Sequence, residues 1–302
     1  MFKGIWPAML TPFDAHGDVD LPALDRLVDH LIAEGAHGLY VCGSTGEGLL
    51  MNVAERMAVT ERTIQRVAGR VPTMIHVGMI PTRDAATLAA HARTAGADAV
   101  AAIPPTFFAY SFNAIRDHYA AIGDAAAIPL FIYNIPSAAA INVTPQMVAQ
   151  MQATIPNLVG MKWTSPNLYE MRQIIELPNM TVFSGPDEMC LPALSMGVVG
   201  AIGSTYNPMT RHFVRLYDAY VAGHLAEAQE LQFIANRVIK AWLGHPGALK
   251  VMMRWQGVPI GSPRAPLESL PAEREAALAA DLLAAGYTYP VAEAQAARQA
   301  SG

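Results

Sequence analysis

The residue type best placed for covalent chemistry in this chain is the lysine of Leu-Val-Gly-Met-Lys-Trp-Thr-Ser, residues 158–165. The run is short and apolar, carries one glycine, and is closed by Thr164, Ser165 and Pro166, which reads as a strand. Strand side chains alternate, so Leu158, Gly160, Lys162 and Thr164 are expected on one face. Val159, Met161 and Trp163 are expected on the other, packed under helices. Burial disfavours an ammonium ion and makes a neutral, nucleophilic amine available. The competing reading is a strand-end lysine that reaches water along its own stem.

Other chemistry-bearing residues follow other apolar runs. Gly43-Ser-Thr-Gly-Glu-Gly48 is a glycine-rich turn. Its backbone N–H groups, with the hydroxyls of Ser44 and Thr45, suit a carboxylate or a phosphate. It is neither a P-loop nor a Gly-x-Ser-x-Gly elbow, and an ordinary turn would have the same composition. Tyr133 shares a strand face with Phe131; it is either a packed ring or a proton carrier beside the amine. Asp187 and Glu188 open a helix, where carboxylates favour the dipole and are also available to accept from hydroxyls. Gly185, Ser204 and Thr205 complete the set. The nine histidines are dispersed, and no His, Cys, Asp or Glu spacing fits a metal site, so no metal is expected.

These residues need elements to hold them. Strands are expected at 4–10, 38–43, 73–78, 99–104, 129–134, 158–163, 181–185 and 200–204. Helices are expected at 21–34, 53–68, 82–95, 112–123, from Pro145, and at 168–175, 188–195 and 209–222. That makes eight strand-then-helix units with short connections. Strands such as Thr-Met-Ile-His-Val are apolar on both faces, as buried parallel strands are. Eight units favour an α/β fold closed into a (β/α)8 TIM barrel over an open sheet. Active sites of such barrels lie at the C-terminal strand ends, where Ser44, Thr45, Tyr133, Lys162, Thr164, Gly185, Asp187, Glu188 and Ser204 all fall. The barrel is expected over 1–222. Helices at 225–243, 248–256 and 271–285 form a C-terminal appendage, 223–302, packed on it as one structural unit.

The 302 residues are 52% hydrophobic and 15% charged, enough for a large core. A net charge of −5 without a basic tract argues against nucleic acid. The two cysteines, Cys42 and Cys190, sit in apolar patterns and read as reduced thiols of a cytoplasmic protein. No signal peptide and no bilayer-length apolar run is expected.

Four motifs in order carry a resemblance: Gly43-Ser-Thr-Gly-Glu47, Tyr133-Asn-Ile-Pro136, Gly160-Met-Lys162 and Gly200-Ala-Ile-Gly-Ser-Thr-Tyr-Asn207. Together they resemble the dihydrodipicolinate synthase/N-acetylneuraminate lyase family of pyruvate-dependent class I aldolases, over nearly the whole chain. Lys162-Trp-Thr-Ser165, Gly185-Pro-Asp-Glu188 and Gly203-Ser-Thr-Tyr-Asn207 are similar to the lyase branch. The synthase branch has an arginine where this chain has Ala138. The family's tyrosine after Pro104-Pro105 is replaced by Thr106-Phe107-Phe108, with the next hydroxyl ring at Tyr110. The resemblance implies a Schiff base on Lys162, proton relay by Tyr133, and a substrate carboxylate held by Ser44 and Thr45. It also implies sugar-acid contacts from Thr164, Gly185, Asp187, Glu188 and Ser204, with no cofactor beyond the covalent adduct. The implied reaction is reversible cleavage of N-acetylneuraminate, or a close 2-keto-3-deoxy sugar acid, to pyruvate and an aldehyde. The implied partners are a small 2-keto acid and an aldehyde, and the implied assembly is a homotetramer. Rival readings are another 2-keto-3-deoxy acid aldolase or dehydratase, 4-hydroxy-tetrahydrodipicolinate synthase, a metal-dependent aldolase, and a non-catalytic sugar-acid binder.

Overall fold

Eight short parallel strands form the centre of the chain: β1 (Gly4–Pro7), β2 (Leu39–Val41), β3 (Thr73–His76), β4 (Ala99–Ala102), β5 (Leu130–Asn134), β6 (Leu158–Trp163), β7 (Thr181–Ser184) and β8 (Gly200–Gly203). This is a computed structural model that describes residues 2–139, 141–243 and 245–287. Each strand pairs with its neighbour in sequence from β2 to β8, and β8 pairs with β1. A single parallel bridge, Ala8 to Tyr40, joins the β1 and β2 ends of the sheet. The result is the nearly closed (β/α)8 barrel that the alternation of units predicts.

Helices α1 (Leu21–Ala33), α2 (Val53–Val67), α3 (Thr82–Ala95), α4 (Phe112–Ala126), α5 (Pro145–Gln152), α6 (Leu168–Ile175), α7 (Cys190–Ser195) and α8 (Tyr206–Val221) follow the strands in turn. Their starts are set locally. Asp20, Asn52, Ser111, Thr144 and Asn167 each accept a backbone N–H at the first turn of a helix, and Asn52 forms a reciprocal capping box with Glu55. The outer core lies between strands and helices and includes Leu24, Val41, Ile132, Met161 and Trp163. The inner core fills the barrel with Trp6, Tyr40, Met74, Phe131, Phe183 and Ile202, next to the small Ala99 and Ala101. Rings of this size fit because their neighbours are small: a Cβ at Gly160 would collide with the Phe131 ring.

The strict alternation expected along β6 is broken at its start. Leu130 pairs with Leu158, but Phe131 pairs with Gly160, so Val159 is an extra residue in the ladder. Leu158 therefore joins the outer core, while Val159 packs against the inner one. Beyond the bulge the expected parity holds: Met161 and Trp163 face the helices, and Lys162 faces inward.

Two boundaries also differ from expectation. The first ladder stops at Pro7 and not at residue 10, because the Asn207 side chain takes over: it accepts from Leu10 N–H and donates to the Ala8 carbonyl. Helix α8 begins at Tyr206, three residues early, with Pro208 in its first turn and a break at Met209 (φ −129°, ψ 29°). After the barrel, α9 (Leu225–Trp242) packs on α8, and α10 (Pro246–Trp255) contacts α8 and α9. Helix α11 (Ala272–Ala284) packs on α9. The remainder of the expected appendage, 288–302, lies outside the described residues.

Between α3 and α4, His118 is buried, with Nδ1 2.8 Å from the Thr82 hydroxyl. Burial pushes its pKa down from 6.5 to about 4. The folded state thus holds this proton less tightly than the unfolded chain, and stability falls as pH drops from 6.5 toward 4. We expect urea unfolding to show His118→Gln gaining about 3 kcal/mol on the wild type between pH 7 and pH 4.

Candidate active site

Lys162 projects from β6 into the barrel and is 5% exposed. Its neighbour across the ladder is Tyr133 on β5. The Lys162 Nζ lies 4.2 Å from the Tyr133 ring centroid and 5.0 Å from that of Tyr40. No carboxylate pairs with it among the described residues. The amine is therefore surrounded by aromatic faces, which attract a cation without taking its place as a proton acceptor.

A third ring completes this wall. His76, at the end of β3, is edge-on to Tyr133 with centroids 5.9 Å apart, and 6.2 Å from Tyr40. Its Nε2 accepts from Ile103 N–H at 3.1 Å, and its Nδ1 is 3.3 Å from an Arg56 nitrogen. Burial, then the Arg56 and Lys162 charges, push its pKa well below the ordinary histidine value, so the imidazole stays neutral. Arg56 reaches in from α2, donates to the Gly78 carbonyl at 2.9 Å and to the His76 carbonyl, and forms no ion pair with a carboxylate among the described residues. Burial also raises the Tyr40 pKa well above its usual value, with Tyr133 adding to the effect.

The turn after β2 faces the turn after β8. Thr45 Oγ1 and Ser204 Oγ are 2.7 Å apart, and Ser44, beside Thr45, is exposed. The turn is closed by Glu47 N–H to the Ser44 carbonyl and Gly48 N–H to the Gly43 carbonyl, both 3.0 Å.

The turns after β6 and β7 meet on the other side. Thr164 N–H donates to the Asn134 carbonyl at 2.8 Å, and Gly185 N–H donates to Trp163 at 2.7 Å. A Cβ at Gly185 would collide with the Thr164 hydroxyl, so the glycine lets the two turns close. Asp187 opens a single 3-10 turn (Asp187–Met189) and is buried, while Glu188 is exposed. One Asp187 oxygen accepts Thr205 N–H at 2.8 Å; the other abuts Gly203 and has no hydrogen-bond partner among the described residues. The Thr164 hydroxyl is likewise buried and unpartnered. Burial pushes the Asp187 carboxyl up to about 6, against the lowering effect of the nearby Thr205 side chain, the Thr205 N–H and the Lys162 charge.

The structure thus pairs Lys162 with Tyr133, Thr45 with Ser204, and Gly185 with Thr164. Tyr110 is half-buried with its hydroxyl on its own loop, 3.5 Å from the Thr106 carbonyl. Phe107 (φ 79°) and Phe108 on that loop are exposed. Tyr40 and His76, with Arg56 behind them, are the surroundings of Lys162 that sequence reasoning missed. The signal for Arg56 was available: it shares the inward stripe of α2 with Val59, Thr60, Thr63 and Val67, where a charge is out of pattern. Among the described residues, no group of three or more His, Cys, Asp or Glu side chains could hold a metal ion.

The dihydrodipicolinate synthetase family matches this sequence over residues 1–285. The chain belongs to that family. An N-acetylneuraminate lyase from Rhizobium meliloti (strain 1021) is 38% identical over 282 residues, 92% of each chain. Among solved structures, Proteus mirabilis N-acetylneuraminate lyase superposes with a TM-score of 0.88 at 31% identity, covering 95% of this chain and 99% of its own. YagE, a prophage protein of the dihydrodipicolinic acid synthase family from E. coli K12 solved in complex with pyruvate, gives 0.91 at 28% identity, with the same coverage. Curated relatives named as lyases at this identity and coverage make the chain a lyase of the family. No helix among the described residues is long and apolar enough to cross a membrane.

Asp187 takes up its proton at a higher pH when folded than its ordinary value of 3.8, so it favours the folded state increasingly as pH falls from about 6 toward 3.8. Carboxyl 13C NMR is expected to show one aspartate titrating near pH 6, and that resonance to be absent in Asp187→Asn.

Proposed function

We propose that this lyase is a Schiff-base aldolase that reversibly cleaves N-acetylneuraminate, or a close 2-keto-3-deoxy sugar acid, to pyruvate and an aldehyde. The observation that carries the reading is the Lys162 amine inside the barrel mouth, unpaired with any carboxylate among the described residues and 4.2 Å from the Tyr133 ring. The relatives named N-acetylneuraminate lyase support the substrate class.

In this reading the Lys162 amine adds to the C2 carbonyl and expels water, forming an imine. The protonated imine draws the C3–C4 bonding pair toward nitrogen as the C4 hydroxyl loses its proton through Tyr133, whose oxygen accepts it while passing on its own hydroxyl proton, the one later delivered to C3. The aldehyde departs and leaves an enamine. Protonation at C3 and hydrolysis then release pyruvate and free Lys162. Ser44 and Thr45 hold the carboxylate through hydroxyl and backbone donors. Thr164, Gly185, Asp187, Glu188 and Ser204 contact the sugar-acid hydroxyls. The unpartnered Thr164 hydroxyl and Asp187 oxygen support this part, because buried polar atoms normally find a hydrogen-bond partner. The covalent adduct replaces any cofactor.

We further infer a cytoplasmic homotetramer. The unpaired Cys42 and Cys190 thiols agree with a reducing compartment, and the exposed rings of Phe107 and Phe108 agree with an interface. Ala138, where the synthases carry an arginine, disfavours the synthase reading.

Borohydride reduction in the presence of pyruvate is expected to add one pyruvate-derived mass at Lys162. No adduct would leave a non-covalent sugar-acid binder as the reading. Lys162→Ala is expected to lose activity by several powers of ten, and Tyr133→Phe by about a hundred- to ten-thousandfold. Pyruvate release should be fastest from N-acetylneuraminate in a panel of 2-keto-3-deoxy acids. Faster release from another acid would reassign the substrate and keep the mechanism. Sedimentation velocity is expected to give a tetramer, and substituting both Phe107 and Phe108 with Ser to shift it to smaller species.

A further inference from the structure

The turn that presents Ser44 and Thr45 is fixed from outside the barrel. Glu47 sits in the left-handed region (φ 57°, ψ 30°), which a side chain other than glycine adopts only when its surroundings hold it there. Both oxygens of its buried carboxylate are engaged. Oε1 lies 2.9 Å from Lys250 Nζ, and Oε2 accepts Arg264 N–H at 2.7 Å. Lys250 is on α10 and Arg264 follows it, so both come from the segment after the barrel.

Lys250 is itself almost completely buried, and an ammonium has three N–H donors to place. All three have acceptors: Glu47, the Thr11 carbonyl at 2.9 Å and the Ser262 carbonyl at 2.9 Å. Its Nζ also lies 4.5 Å from the Phe13 ring centroid. Thr11 in turn donates its hydroxyl to the Gly46 carbonyl at 2.6 Å. The one cation therefore grips the Ser44–Thr45 turn at two points, directly through Glu47 and through Thr11 to Gly46. Arg264 holds the far side still: its guanidinium donates to the Gly17 carbonyl at 2.6 Å, the Leu50 carbonyl at 2.9 Å and Glu55 at 2.6 Å.

We propose that Lys250 is a positioning residue for substrate: through Glu47 and Thr11 it sets the geometry of the turn that receives the 2-keto acid carboxylate. The inference rests on the proposed role of Ser44 and Thr45 and adds the C-terminal segment to what that role requires. Lys250 does not touch the reacting atoms. Its loss displaces the carboxylate donors and leaves the Lys162 amine and its aromatic wall in place.

The test compares two carbonyl compounds, pyruvate and acetone, as imine formers at Lys162 in the full-length protein, by borohydride trapping and intact mass. In Lys250→Met, half-maximal trapping is expected to need about a hundredfold more pyruvate. The acetone dependence, which involves no carboxylate, is expected to match the wild type. Lys250→Arg, which keeps the charge, is expected to recover part of the pyruvate response. A variant that weakens trapping of both compounds equally has merely loosened the fold, and that overturns the proposal. Unchanged pyruvate dependence in Lys250→Met overturns it as well. If Lys250→Met does not fold, Glu47→Gln carries the same comparison, since it removes the charge and leaves one acceptor for two donors. A wild type that traps no pyruvate defeats the functional reading itself, and this inference with it. A wild type that traps pyruvate with a variant that is indistinguishable defeats this inference alone.

Discussion

A primary amine held inside a barrel, facing rings and not carboxylates, is the constraint on which the rest of this structure depends. A buried ammonium is normally stabilised by an opposite charge. Lys162 has instead the faces of Tyr133 and Tyr40. Such contacts are worth about 0.5 to 2 kcal/mol or more, depending on desolvation, and they leave the nitrogen free of a competing acceptor. The inner core, with Trp6, Phe131 and Phe183, fills the barrel with packed rings.

Around that amine, the site is built by turns that fasten one another. Thr45 meets Ser204, Thr205 holds Asp187, and Asn207 ties the segment after β1 to the turn after β8. Helix α9 supports the same region from behind: Gln232 donates to the Asp187 carbonyl and accepts from Leu191 N–H. The segment after the barrel thus reaches two sides of the mouth, through Gln232 and through Lys250.

Much of this was legible before any coordinates. The alternation of apolar strands with helical stripes is a property of local sequence, and it predicts the eight units and the C-terminal-end location of Lys162, Thr45, Asp187 and Ser204. The first two residues of β6 were misplaced because alternation assumes an unbroken ladder, and a bulge at Val159 has no composition of its own. The β1 boundary was misplaced because a side chain far along the chain, Asn207, satisfies its last backbone groups. Tyr40, His76 and Arg56 do not stand out in the sequence as surroundings of Lys162, because that relation depends on neighbouring strands being brought together. The Lys250–Glu47 pair has the same character: each residue sits in an unremarkable local pattern, and only folding makes them neighbours.

One detail of the sheet has a mechanical consequence. Among the described residues, the first and second strands meet through a single bridge, Ala8 to Tyr40, with His37 N–H donating to the Ile5 carbonyl further down, while every other seam is a ladder. A hoop closed by so short a stitch leans on the clasps beside it: Asn207 on the backbone of Ala8 and Leu10, and Lys250 and Arg264 on Glu47. That stitch borders Tyr40 and the glycine-rich turn, so the side chains that brace the turn also brace the seam.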